Sequence, residues 1–213
     1  MLIKIKEFLK KNKIIIKQQS GFRQKRQTKD NIFFLTQKAI ETINRKKRMC
    51  AIFFDIASAF DKIWHEGLIY KLIKLNFPKY IICWINQFLK NRFFAVKMNN
   101  IITNKLIITA GVPQGAVLSP TLFSIFINDM TVNYSRNKKY SLLFADDLCS
   151  FHIYKKKRTS VKQIQLYLDS IEKWLKSWRL MMAPHKCNYM QFFRTINHML
   201  RKTKWILNYL ALI

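Results

Sequence analysis

The chain has 213 residues, 39 of them Lys or Arg and only 11 Asp or Glu, giving a formal net charge of +28 and a sequence pI near 10.2. Half of it is hydrophobic, which excludes a disordered basic tail, and the length suits one domain or a compact pair of subdomains. So much positive charge, carried beside 17 Phe, 8 Tyr and 5 Trp, points to a polyanionic partner, nucleic acid before an anionic membrane surface.

The opening residues 1–17 are rich in Lys and Ile and show no small-residue cleavage site, and no run of 18 apolar residues occurs, so neither a secretory signal nor a membrane span is expected. Cys50, Cys83, Cys149 and Cys187 show no CxxC spacing and sit mostly in apolar runs. That argues against zinc and disulfides and for a reducing compartment, nucleus or cytoplasm. With four glycines and four prolines there are few places for flexible joints.

In chain order, Gln19-Ser20-Gly21 reads as a turn, after which Thr28 or Asp30 can cap a helix whose apolar positions are Ile32, Leu35, Ala39, Ile40 and Ile43. The cations Arg45 to Arg48 suit its C-terminus. Met49 to Ile56 is a buried strand by composition, followed by a turn around Ser58 to Asp61 and helices over His65–Leu75 and Tyr80–Leu89, the second preceded by Pro78. Arg92–Met98 and Leu106–Thr109 predict a hairpin around Asn99-Asn100. Gly111-Val112-Pro113-Gln114-Gly115 is a tight loop, and Ser119-Pro120 starts a helix through Met130. Tyr140–Tyr154 predicts a hairpin and Thr159–Trp178 an amphipathic helix with Val161, Ile164, Leu168, Ile171 and Leu175 on one face. A last strand is expected over Asn188–Phe193. Strands and helices mix without a βα repeat, so the fold class is α+β, an antiparallel sheet with helices on one face.

Within the second hairpin, Asp146 and Asp147 stand at the centre of an apolar, β-prone run, in a chain with few acids. Asp is a turn residue, so turn chemistry alone is one reading of the pair at the tip. A hard divalent cation is the alternative, since magnesium takes one or two protein carboxylates and completes its octahedron with phosphate and water. Asp55 adds a third carboxylate at the end of a second apolar strand, where it is costly unless paired or metal-bound; capping a following helix is the other reading. Three such acids could serve a two-metal phosphoryl-transfer site.

Several ordered strings within residues 18–193 together resemble the reverse transcriptases of non-LTR retrotransposons, most closely the jockey-like group. They are Gln19-Ser20-Gly21-Phe22-Arg23 with Arg26 and Thr28, Phe54-Asp55 through Trp64-His65, Gly111 to Gly115 through Ser119-Pro120 with Phe123 and Asn128-Asp129, Phe144-Ala145-Asp146-Asp147, and Trp174, Trp178, Lys186 and Phe192. The resemblance implies a right-hand polymerase in one truncated domain. Residues 1–48 and 66–110 would be fingers-like, 49–65 and 111–193 palm-like, and 194–213 a divergent tail with no thumb. Neither an endonuclease nor an RNase H is expected.

It also implies roles. Asp55, Asp146 and Asp147 would be the catalytic acids, holding two magnesium ions, with manganese the alternative and the Ile56 carbonyl as a backbone ligand. Lys186 would protonate departing pyrophosphate, or else be an ordinary exposed lysine. Phe60 would exclude a ribose 2′-hydroxyl, or else be a core aromatic. Gln114 and Gly115 would contact nucleotide and template, while Arg23 or Arg26 would reach the triphosphate or a backbone phosphate. Gln27 departs from the small hydroxyl residue common before Thr28, Ala183-Pro184 from an Asn before the Lys, and beyond Thr195 only Tyr209-Leu210 echoes a primer-gripping strand. The expected function is RNA-directed DNA polymerisation on an RNA template and DNA primer with dNTPs. The rivals are a decayed element fragment that only binds nucleic acid and, more remotely, a basic peripheral membrane protein.

Overall fold

The computed structural model describes residues 1–99, 101–131, 139–155 and 157–194. They form two compact units, a helical one built from Met1–Ile16, Ser58–Asn128 and Trp178–Leu180, and a sheet unit built from Lys17–Ala57, Asp129–Ser177 and the described residues from Met181 onward. Asn100 of the expected hairpin tip and the Tyr209-Leu210 echo lie outside the described residues.

The sheet unit contains α2 (Thr28–Asn44), β1 (Arg48–Phe54), β6 (Lys139–Phe144), β7 (Asp147–Tyr154), α6 (Lys157–Ser177), a 3-10 turn (Pro184–Lys186) and β8 (Asn188–Phe192). The four strands run antiparallel in the order β6-β7-β1-β8. Strand β1 sits in the interior of this order and is buried at nearly every position. Its run Met49 to Phe54 does not alternate with polar residues, which is the mark of a strand covered on both faces. One face carries Met49, Ala51 and Phe151 against Ala39 of α2, with Phe34 and Leu35 packed around them. On the opposite parity, Phe54 meets the ring of Tyr167 of α6 at 6.2 Å, and the Tyr167 hydroxyl lies 2.6 Å from the Ser150 hydroxyl. The expectation of helices on one face is therefore corrected: α2 and α6 cover opposite faces, because both faces of β1 are apolar. Residues 28–44, grouped with the fingers on sequence grounds, pack on this sheet.

Helix α2 is entered through Gln27, whose N–H donates to Asp30 Oδ2 at 2.8 Å, so the N-cap is Gln27 rather than Thr28 or Asp30. Its buried residues are Ala39 and Thr42, whereas Ile32 and Ile40 are exposed. Helix α6 buries Ile164, Tyr167, Leu168, Ile171 and Leu175 as its spacing predicts, and leaves Val161 exposed.

The helical unit contains α1 (Leu2–Lys11), α3 (His65–Lys74), α4 (Lys79–Leu89) and α5 (Ser119–Phe126). Strand β2 (Phe93–Phe94) pairs with β5 (Leu106–Ile107), and β3 (Lys97–Met98) with β4 (Ile101–Ile102). Helix α1 was not expected from the sequence; it buries Ile5 and Leu9 and sets the Phe8 ring against Phe77, centroids 4.4 Å apart and tilted by 41°. Seven of the eight residues of α5 are buried, among them Leu122, Phe123 and Phe126. Each such side chain contributes about 1.5–3 kcal/mol by leaving water. This helix stops at Phe126 rather than Met130. Asn128 then turns its side chain to backbone it meets in the same unit, accepting from the Ile16 N–H and donating to the Ile14 carbonyl, both at 2.9 Å. Such side-chain bonds offer the chain an alternative to continuing a helix.

Candidate active site

The three acids reach the sheet unit from different elements. Asp55 follows the last residue of β1, and its carbonyl accepts from the Ala183 N–H at 2.9 Å while the Ala57 N–H donates to the Met181 carbonyl at 2.9 Å. These bonds flank an antiparallel bridge between Ile56 and Met182 that uses neither the N–H nor the carbonyl of Ile56. Asp55 is thus a strand-end carboxylate, and the helix-capping reading falls away because no helix begins there.

Asp146 and Asp147 lie at the β6–β7 turn, where Phe144 pairs with Asp147 across a two-residue loop. Here the structure corrects the turn chemistry expected from sequence. The left-handed residue is Ala145, at φ +56°, and not an Asp. A positive φ at the first central position alone is what a type II′ hairpin turn asks for, and it ordinarily asks for glycine. Alanine is kept there by Gln19. Its Oε1 accepts from the Ala145 N–H at 3.1 Å and from the Gly21 N–H at 2.7 Å, while its Nε2 donates to the Ala145 carbonyl at 3.2 Å.

Asp147 feels the charge of the other two carboxylates. The Asp147 carboxyl pKa is raised, first by the desolvation of its partly enclosed position and then by the charges of Asp146 and Asp55, with Lys186 pulling the other way. Since Asp147 remains exposed to solvent, the neighbouring charges are the firmer cause. Lys186 Nζ stands 3.6 Å from Asp55 Oδ1, a long and solvent-exposed pair of small energetic value. Among the described residues, no group of three or more His, Cys, Asp or Glu side chains closes into a metal cage. Magnesium does not demand one, because it usually keeps water and takes substrate phosphate oxygens beside one or two carboxylates. Hard-oxygen donors set so that the charges of two disfavour the ionised form of the third, Asp147, fit a divalent cation.

The other expected site residues divide between the units. Arg23 belongs to the sheet unit and donates from Nη1 to the Gln19 carbonyl at 3.0 Å; burial and then the charge of Arg26 lower its pKa. Arg26 is exposed. Phe60, Gln114 and Gly115 belong to the helical unit. The Phe60 ring stacks on buried Phe123 at 4.5 Å and 13°, and the Gln114 Nε2 donates to Asp61 Oδ1 at 2.7 Å. The loop that carries Gln114 is fastened to the turn after Ser58: the Gly111 N–H donates to the Ile63 carbonyl, the Val112 N–H to that of Phe60, and His65 Nε2 lies 2.7 Å from the Gly111 carbonyl.

Comparison with known proteins sets this arrangement in a family. A family model described as reverse transcriptase (RNA-dependent DNA polymerase) matches residues 1–212. The chain belongs to that family. It is 32% identical over 185 residues, 84% of this chain, to the RNA-directed DNA polymerase from mobile element jockey of Drosophila melanogaster. It is also 31% identical over 188 residues, 86% of this chain, to the probable RNA-directed DNA polymerase from transposon BS of the same fly. The reverse transcriptase segment spans about one fifth of the length of these curated relatives, 20% and 21% respectively. Its fold is similar to that of apo telomerase from Candida tropicalis truncated from its C-terminal domain, with a TM-score of 0.63 at 14% identity, covering 92% of this chain and 40% of that one. Among the described residues no helix is long and apolar enough to cross a membrane.

Two residues beside the acidic turn have no role assigned from the sequence. Gln19 and Gly21 were visible as part of a family string, but their partner Ala145 lies far along the chain. A Cβ on Gly21 would fall 2.1 Å from the Ala145 nitrogen, so only glycine fits against the acidic turn.

Proposed function

We propose that this chain is the core of an RNA-directed DNA polymerase that adds deoxynucleotides to a primer 3′-hydroxyl by phosphoryl transfer. The observation that carries the reading is the β1–β7 register, which pairs Phe54 with Leu148 and so brings Asp55 to the same end of the sheet as Asp146 and Asp147, in a chain of net charge +28. Negative charge concentrated on a basic protein is consistent with a cation-bridged phosphate substrate.

In this reading Asp55 and Asp146 are direct ligands of two magnesium ions, with manganese an alternative, Asp147 is the third acid, and the Ile56 carbonyl is a backbone ligand. Bound divalent ions supply acidity to the primer hydroxyl and neutralise the triphosphate. Lys186, already drawn to Asp55, contributes positive charge and a proton for departing pyrophosphate. Arg23 and Arg26 contact phosphate. Gln114 and Gly115 contact nucleotide and template, and Phe60 selects deoxyribose. RNA template, DNA primer and dNTPs are the proposed partners. Positioning and charge stabilisation then account for most of the rate.

The experiment is single-nucleotide extension of a DNA primer on an RNA template, with dNTPs and rNTPs in parallel and Asp55→Asn as the control. Incorporation of the templated deoxynucleotide, lost in the control, is expected. Tight RNA binding with no incorporation under magnesium or manganese would overturn the polymerase reading and leave a nucleic-acid-binding fragment.

A further inference from the structure

The acidic turn does not hold itself. Its first central residue, Ala145, has φ +56°, a conformation an L side chain adopts at a cost, and its side chain is buried. The two backbone groups of Ala145 are held by one buried amide: Gln19, 1% exposed, receives the Ala145 N–H on Oε1 and gives Nε2–H to the Ala145 carbonyl. A side-chain amide can accept and donate at once, so a single Gln fixes the peptide planes on both sides of Ala145. The second of these planes joins Ala145 to Asp146.

Gln19 is itself braced. Its Oε1 also receives the Gly21 N–H, and its backbone runs parallel to the β6 edge, with the Ser20 N–H donating to the Leu143 carbonyl at 2.8 Å and the Leu143 N–H to the Gln18 carbonyl at 2.9 Å. Asn31 in the first turns of α2 adds a bond from Nδ2 to the Leu143 carbonyl at 3.2 Å and accepts from Ser20 Oγ at 2.9 Å. All of these groups lie in the sheet unit.

We propose that Gln19 is a positioning residue for Asp146 and Asp147: it clamps Ala145 in the left-handed conformation and thereby sets the direction in which the two carboxylates present themselves to a divalent cation. This rests on the polymerase reading for its purpose, although the clamp itself does not. Without the amide the turn would relax toward ordinary backbone angles, and the acids would lose their shared geometry while the strands stayed paired. Groups that orient metal-binding side chains typically change metal affinity by about 10- to 100-fold when removed.

The test uses the full chain as wild type, Gln19→Ala, Gln19→Glu and the double variant Gln19→Ala with Ala145→Gly. Two readouts are taken: Mn2+ binding alone, by the loss of the free-ion electron paramagnetic resonance signal, and hydrogen exchange of the Ala145 amide. Gln19→Ala is expected to weaken Mn2+ binding about 10-fold and to speed Ala145 exchange, with RNA binding unchanged. Glycine at 145 adopts positive φ freely, so the double variant should recover most of the Mn2+ affinity, which a general loss of fold would not allow. Gln19→Glu keeps an acceptor for the Ala145 and Gly21 N–H groups. When ionised, however, it loses the donor arm, turns a second oxygen toward the Ala145 carbonyl and adds a buried negative charge, so faster Ala145 exchange is expected here too and the proposal remains testable if the alanine variant does not fold. Unchanged Ala145 exchange in Gln19→Ala, or in Gln19→Glu should the first be unfolded, would overturn the clamp. So would Mn2+ affinity held within twofold, or a failure of glycine to rescue. A wild type that binds no Mn2+ while Ala145 exchange still responds to Gln19 would overturn the aiming of the acids at a cation and leave the clamp standing, whereas failure of the polymerase reading is read separately, from primer extension.

Discussion

The acidic turn and the Gly111–Gly115 loop both need backbone in the left-handed region, and they obtain it differently. In the loop the residues are glycines, at φ +87° and +86°. In the acidic turn the residue is Ala145, held by the Gln19 amide. A glycine makes the bend cheap and leaves it free to move; an alanine gripped at both its N–H and its carbonyl makes the same kind of bend rigid. Rigidity belongs where charges must be aimed, and the two carboxylates are the residues that follow Ala145 in the chain.

Even within the loop the two glycines are not equivalent, and this difference can be broken by mutation. Gly111→Ala should have the largest effect on stability, because the new Cβ would lie 2.6 Å from the Asp61 carbonyl oxygen as well as at a strained φ. A loss of about 3 kcal/mol in urea unfolding is expected. Gly115→Ala meets nothing within 4 Å and bears the conformational cost alone, about 1 kcal/mol. Equal losses at the two positions would mean that contact with Asp61 does not distinguish them.

A smaller effect separates the acids from both glycines. The raised Asp147 pKa means that the folded protein holds this proton more tightly than the unfolded chain, whose carboxyl titrates near its ordinary value. Its contribution to stability is therefore greatest at low pH and declines as pH rises from the unfolded pKa through the folded one. Asp147→Asn should remove that decline and melt slightly higher than wild type at neutral pH, as thermal unfolding at pH 3 to 7 would reveal. A variant that melts lower at neutral pH would mean that Asp147 is a stabilising partner in the fold rather than a crowded carboxylate.

Much of this arrangement was legible in local sequence. The apolar run Met49 to Phe54 ended in an acid, the run around Asp146-Asp147 read as a hairpin, and α6 followed its apolar spacing closely. What failed was information that only tertiary contact supplies. Helix α2 was recognised, yet its buried side holds Ala39 and Thr42 while Ile32 and Ile40 face solvent. Helix α1 was overlooked because interleaved Lys residues disguised Ile5 and Leu9. Cover on one face of the sheet was expected although the unbroken apolar run of β1 already argued for two. The Gln19 clamp joins residues 126 positions apart, and nothing in the local pattern of either end announces the other.

In the proposed function the strand-end acids of the sheet unit perform nucleotidyl transfer. The most direct test is extension of a DNA primer on RNA by wild type and Asp146→Asn, with RNA binding measured on the same preparations. Incorporation reduced about 1000-fold or more in the variant, with RNA binding equal or slightly stronger because a negative charge is gone, is the predicted result. Equal incorporation by the two proteins would contradict it.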